Sequence, residues 1–252
     1  MDTHANVNFL SADELSYTGS QDAHTHQGFC RRQPVSSHHT FPAPPHRTAL
    51  GVFSTIDSTP LDDTVSDEDR RRWNERYPDG AYQFREHPSA VLLDWKDSLM
   101  GSTALDLACG RGRNTIHPAT LGFDVDAIDV SDIAIQQASK RATRMGLRVH
   151  WIAHDLEQGI PLRGPYDLIL MIRYVDNALL SKAVKLLAPQ GKILVEEHVV
   201  SDKEVIGPTN PRFRVLPGSV QQTLCGLEIE REFEGMIQDP RWHPGSVSAC
   251  FS

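Results

Sequence analysis

The chain has 252 residues, 39% hydrophobic and 23% charged, with 25 lysines and arginines against 33 aspartates and glutamates, a formal net charge of −8. That length suits one large domain, or a domain with a tail. The absence of any run of about 18 apolar residues argues against a membrane helix, and the acidic balance argues against a protein that grips nucleic-acid phosphates.

Cys30, Cys109, Cys225 and Cys250 are far apart and form no CxxC pair. A disulfide framework or a cysteine-pair zinc site is therefore not expected, and a reducing, cytoplasmic setting is. The first residues lack the apolar core of a signal peptide, and Asp13, Glu14 and Asp22 spoil a basic transit sequence.

Residues 1–65 are rich in Ser, Thr, His and Pro and poor in periodic apolar residues. Such a stretch buries too little surface to offset its chain entropy and is expected to be a disordered tail. It holds His4, His24, His26, His38, His39 and His46. A metal-binding tract is one reading. A polar tail without metal is favoured, because no acidic or cysteine ligands stand at regular spacing beside them.

A folded domain is expected over 66–252. Ser66-Asp67-Glu68-Asp69 offers an N-cap and acidic first turn for a helix running to Tyr77 and ending at Pro78-Asp79-Gly80. Pro88 to Leu99 reads as a second helix, with Val91, Leu92 and Trp95 as its apolar stripe. From Thr103 the pattern alternates. Ala104–Ala108 is a short buried strand, followed by a glycine turn and a helix to Leu121. Val125–Val130 is a second strand, and Ser131 caps a helix to Met145 closed by Gly146. Strands at Arg148–His154, Tyr166–Ile172 and Lys192–Val199 follow, with a helix over Asn177–Leu187 before the last. Leu227–Phe233 and Ser246–Phe251 read as a closing antiparallel pair. The fold expected is α/β: a Rossmann-like, doubly wound, seven-stranded sheet, mostly parallel, with helices on both faces.

The informative stretch is Leu105-Asp106-Leu107-Ala108-Cys109-Gly110-Arg111-Gly112-Arg113-Asn114. It sets a tight turn between the first parallel strand and its helix, where open α/β sheets bind ligands. Gly110 and Gly112 can take backbone angles other residues avoid and let a ligand approach the main chain. A dinucleotide turn is GxGxxG. Here Thr115 stands where the third glycine belongs, and Asp106 puts a carboxylate close to the turn. That suits a cationic cofactor without phosphates better than a pyrophosphate.

DLACGRGRN resembles the first motif of class I S-adenosyl-L-methionine-dependent methyltransferases, in the variant of the tellurite-resistance and thiopurine-type small-molecule branch. Trp73-Asn74-Glu75-Arg76-Tyr77, Gly80-Ala81-Tyr82 and Pro88-Ser89 resemble that branch's N-terminal helix region. Leu187-Ala188-Pro189-Gln190-Gly191-Lys192 resembles the family's LxPGG turn, with Gln190 for a glycine. Thr209–Phe213 with Leu216-Pro217-Gly218 resembles a late segment, and Ala108 departs from the commonest first glycine.

The resemblance implies S-adenosyl-L-methionine as cofactor and a methyl group passed to a small-molecule acceptor by in-line displacement. It implies that Ala108, Cys109, Gly110, Gly112 and Asn114 form the cofactor turn and that Asp106 orients the methionine ammonium. Asp129, with Val130 beside it, would accept from the ribose hydroxyls. Asp155 would accept from the adenine amino group, with Leu156 on the ring. Ile172 would border the methyl group, and Arg173 and Tyr174 the acceptor. Asp126 is the rival ribose ligand, and strand-end position favours Asp129. Cys109 reads as a small loop residue rather than a nucleophile. Trp73 and Tyr77 share a helix face and either cover the cofactor or pack in the core. His117, His150, His154 and His198 are candidate proton acceptors, none of them singled out. Lys203, Arg212 and Arg214, between 201 and 219, suit an anionic acceptor. Two alternatives stand beside the methyltransferase: an NAD(P)-dependent oxidoreductase and a non-catalytic S-adenosylmethionine-binding protein.

Overall fold

The computed structural model describes residues 3–11, 64–77, 87–201, 207, 208 and 210–237. In chain order the elements begin with strand β1 (Thr3–Ser11), helix α1 (Thr64–Arg76), helix α2 (Ala90–Asp94) and strand β2 (Thr103–Leu107). Helix α3 (Ile116–Thr120), strand β3 (Asp124–Asp129), helix α4 (Asp132–Arg144) and strand β4 (Val149–Ala153) follow. Strand β5 (Tyr166–Ile172), helix α5 (Asn177–Ala183), strand β6 (Leu187–His198), helix α6 (Ser219–Thr223) and strand β7 (Glu228–Ile237) complete the set.

Five strands lie parallel, in the order β4-β3-β2-β5-β6. The chain moves outward from β2 to β4, then crosses back to β5 and β6. Strand order therefore reverses between β2 and β5, the place where ligands enter open α/β sheets. Both faces are covered, as near-continuous apolar strands require. Leu105, Leu107, Ile128, Ile169, Met171, Ile193 and Val195 pack with Leu179, Leu180 and Ala183 of α5 and Val220 of α6. On the other face Ala104, Val125, Leu168, Leu170 and Leu194 pack with Val91, Leu92, Ala119 and Phe123. Each large side chain so buried contributes about 1.5–3 kcal/mol.

Caps fix where the helices start. The Ser131 hydroxyl accepts from the Ala134 N–H at 3.1 Å, and an Asp176 carboxylate oxygen accepts from the Leu179 N–H at 2.8 Å. Ala134, Ala138 and Ala142, one turn apart on α4, are all buried.

Several boundaries differ from the sequence reading. The helix expected over 88–99 is α2 followed by a 3-10 turn at Lys96–Ser98. The helix after the glycine turn begins only at Ile116, because 109–115 are used by the turn. The helix expected to reach Leu187 ends at Ala183 and passes through a 3-10 turn at Val184–Leu186. β6 starts at Leu187, not Lys192: Leu187 pairs with Tyr166, and the register then shifts to pair Lys192 with Leu168. Gln190, φ 64°, and Gly191 lie in the extra loop of that shift, where a Cβ on Gly191 would stand 2.6 Å from the Tyr166 carbonyl oxygen. Helix α6 was not anticipated. β1 lies in the stretch read as a polar tail, where Ala5, Val7 and Phe9 alternate with Asn6 and Asn8. The expected strand at Ser246–Phe251 and the turn at Pro78-Asp79-Gly80 lie outside the described residues, as does the histidine-bearing stretch from 12 to 63.

Candidate cofactor site

The site grows from the carboxyl end of β2. Three residues of the turn that follows have left-handed backbones: Ala108 at φ 58°, Gly110 at 54° and Gly112 at 73°. The turn is pinned from both sides. The Cys109 N–H donates to the Ile128 carbonyl at 2.9 Å, and the Gly112 N–H to the Cys109 carbonyl at 3.0 Å. A Cβ on Gly110 would lie 2.9 Å from the Tyr77 hydroxyl, and one on Gly112 2.7 Å from Trp151 Cη2. The first glycine keeps space beneath a tyrosine from the end of α1. The second permits close packing against β4 and Ala138 of α4.

Asp129 closes the turn from the end of β3. Its Oδ2 accepts from the Gly110 N–H at 2.8 Å and its Oδ1 from the Ser131 N–H at 2.8 Å. Burial pushes its carboxyl up to about 6, against the pull of those two N–H groups. Asp106, inside β2 and 1% exposed, accepts from the Thr115 hydroxyl at 2.5 Å. Burial pushes it up to about 7; the Thr115 bond opposes this and the Asp129 charge adds to it. Asp155, after β4, accepts from the Glu157 N–H at 2.9 Å, and Leu156 packs in the core beside it. Val130, half-buried, follows Asp129 directly.

The remaining candidates spread along the same rim. Asn114 is buried and its Oδ1 accepts from the Ser89 N–H at 2.9 Å. Burial, with Asp129 and Asp106 nearby, pushes the Cys109 thiol up, so it stays a neutral thiol. Ile172 ends β5 in the core, and Arg173 follows with a left-handed backbone at φ 62°. The Tyr174 phenol is pushed up by burial and by the charges of Asp176, Glu157, Asp155 and Asp129. Asp126 is already engaged: its two oxygens meet the Tyr166 hydroxyl at 2.5 Å and His150 Nδ1 at 2.6 Å.

Some contributors escaped the sequence reading. Thr115 anchors Asp106, Ser89 tethers Asn114, and Glu196 pairs with Arg173 at 2.9 Å. Asn74 of α1 bridges to the start of α4. It accepts from the Ser131 hydroxyl at 2.6 Å and donates to an Asp132 oxygen at 2.7 Å. Two adjacent glutamates inside the apolar run of β6 were the one sequence signal for Glu196.

Residues 104–191, from β2 to the loop inside β6, match the family described as a methyltransferase domain. Two curated proteins to which part of this chain is similar are a ubiquinone biosynthesis O-methyltransferase of Caulobacter sp. (strain K31) and a ribosomal protein L11 methyltransferase of Thermus thermophilus. The first is 34% identical over 101 residues, covering 38% of this chain and 40% of that protein. The second is 31% identical over 97 residues, covering 38% of each. The chain thus spans about 40% of the length of the curated relatives it matches. Among solved structures, TehB from Haemophilus influenzae is similar at 19% identity and TM-score 0.48, over 60% of this chain and 54% of that one.

Proposed function

We propose that this protein uses S-adenosyl-L-methionine to methylate a small-molecule acceptor. The observation that carries the reading is the bond between the Asp129 carboxylate and the Gly110 N–H, which sets an acidic group at the mouth of the glycine turn. The donor set suits the group. Asp106 and Asp129 favour a cation, and the left-handed glycines give the turn its tight backbone while Tyr77 and Trp151 pack where a Cβ would stand. A pyrophosphate would face those carboxylates instead. Thr115, fully buried beneath the turn, fills the position a dinucleotide turn reserves for glycine, which disfavours NAD(P).

When bound, S-adenosylmethionine supplies an electrophilic methyl carbon on a sulfonium. The chain supplies position. Ala108, Cys109, Gly110, Gly112 and Asn114 shape the turn that receives the methionine part, and Asp106 orients the ammonium. Asp129 has lone pairs left after its two N–H bonds and accepts from the ribose, with Val130 alongside. Asp155 accepts from the adenine amino group above Leu156. Ile172, Arg173 and Tyr174 border the acceptor. Holding donor and acceptor in line while excluding water is worth about 7–11 kcal/mol of barrier.

The antiparallel registers of β1 with β6 and of β7 with β1 support completion of the sheet to seven strands. The motif set supports the tellurite-resistance and thiopurine-type branch, the scattered cysteines support a cytoplasmic protein, and the composition shift supports a unit spanning 66–252. The net charge of −8 disfavours an RNA acceptor.

Calorimetric titration tests the reading. S-adenosylmethionine and S-adenosylhomocysteine are expected to bind and NADH is not; the reverse result rejects it. A methyl-release screen over thiols, phenols, selenite, tellurite and small amines then tests turnover. Binding without methylation of any acceptor leaves a non-catalytic binding protein.

A further inference from the structure

A second buried network sits at the far side of the rim. Ile172 pairs with Glu196, so β6 runs on past the end of β5. Arg173 is the first residue beyond β5, and its N–H donates to the Glu196 carbonyl at 2.6 Å. Its side-chain Nε donates to Glu196 Oε1 at 2.9 Å, and a terminal nitrogen lies 2.9 Å from the same oxygen. The other terminal nitrogen meets His198 Nε2 at 3.2 Å; a guanidinium only donates, so this imidazole nitrogen is unprotonated.

Glu196 is fully buried, and its second oxygen accepts from the Ser89 hydroxyl. Ser89 in turn donates its N–H to Asn114. A continuous chain of bonds therefore joins the glycine turn to Arg173. Burial alone would raise the Glu196 carboxyl, but Arg173 and then Arg113 hold it low. Glu197, next to it, is pushed well up by burial, and its Oε1 accepts from the Tyr174 N–H at 2.9 Å.

Two costs meet on this one guanidinium. A non-glycine residue adopts a left-handed backbone, and a buried ion pair stands where apolar packing would serve stability as well. We propose that Glu196 is a positioning residue that fixes the Arg173 guanidinium on the acceptor side, where that cation orients an anionic methyl acceptor such as a thiolate. The inference rests on the reading of Arg173 as an acceptor-site residue.

The probe is 4-nitrothiophenol, whose thiolate absorbs visible light and bleaches on methylation. It is titrated into the full chain saturated with S-adenosylhomocysteine, and turnover is followed separately with S-adenosylmethionine. Wild type is expected to bind the thiolate, and Arg173→Gln to weaken it by at least about tenfold. Glu196→Gln keeps the shape and the cation but loses the fixed partner. It is expected to leave the thiolate Kd within about threefold while kcat falls at least about tenfold, with S-adenosylhomocysteine affinity unchanged. Ser89→Ala, which removes one hydroxyl from Glu196, is expected to give the same split at about threefold and carries the test if Glu196→Gln does not fold. A purely structural role would move the melting temperature, cofactor affinity and thiolate affinity together, and that result overturns the proposal. So does an unchanged kcat in both variants. A wild type that binds S-adenosylhomocysteine but neither binds nor methylates the thiolate also overturns it, and leaves the cofactor reading standing. Failure to bind S-adenosylhomocysteine removes both.

Discussion

Asp129 Oδ2 lies 2.8 Å from the Gly110 nitrogen, so the end of β3 holds the turn that leaves β2. One carboxylate thereby organises two loops that are 19 residues apart. Asp129→Ala is expected to weaken S-adenosylhomocysteine binding by about 10- to 100-fold, the equivalent of the 1.5–3 kcal/mol of a hydrogen bond to a charged group. Calorimetric titration reads this directly, and unchanged affinity removes the ribose assignment.

Acidity supplies a second check. Asp106 titrates at about 7 and Asp129 at about 6, against a usual 3.8. At these two groups the native, cofactor-free protein therefore binds more protons than the unfolded chain between about pH 4 and 7, and their contribution to stability falls as pH rises through that window. Ionised carboxylates are what the cationic cofactor needs, so its affinity is expected to rise over the same window. Titrations of S-adenosylmethionine at about pH 5.5 and about pH 7.5 measure it, and Asp106→Asn is expected to flatten the upper part of the rise. A flat wild-type profile contradicts the placement of these two groups against the cation.

Gly112 and Gly146, both left-handed, separate backbone strain from crowding. Gly112→Ala meets both a φ of 73° and Trp151 Cη2 at 2.7 Å. It is expected to destabilise by about 2–5 kcal/mol, the sum of a left-handed penalty of about 1–2 and overpacking of about 1–3. Gly146→Ala, φ 70° with nothing within 4 Å, carries the backbone cost alone, about 1–2 kcal/mol. Denaturant melts of the two variants compare them, and equal losses would mean that Trp151 yields freely.

Asn74 ties α1 to Ser131 and Asp132 with one accepted and one donated hydrogen bond. Asn74→Ala is expected to cost about 1–3 kcal/mol, two bonds of about 0.5–1.5 each. Amide exchange in α1 should then quicken while that of β2 and β5 stays unchanged. Uniform exchange changes would show that α1 is not a separate unit.

The parallel core was plain in the sequence because its strands are short apolar runs between glycine turns and capped helices: Tyr166–Ile172 was read to the residue. The turn from Ala108 to Gly112 was equally plain, since few other chemistries need glycines at that spacing after a buried aspartate. What stayed hidden was whatever depends on partners far along the chain. Thr115 looks like an ordinary helix residue until Asp106 is placed above it, and Ser89 meets Glu196 across 107 positions. β1 was hidden for a different reason: its alternation is short, and the polar composition around it outweighs five residues of pattern.

The glycine turn emerges from β2, which has parallel neighbours on both sides and whose Ala104, Leu105 and Leu107 are fully shielded from water. Amides in such a strand exchange only when the whole domain opens. The turn proposed to meet the nucleoside is therefore rooted in the most slowly breathing region, and thermal fluctuation is expected to fray the outer helices long before it blurs the shape of the cradle.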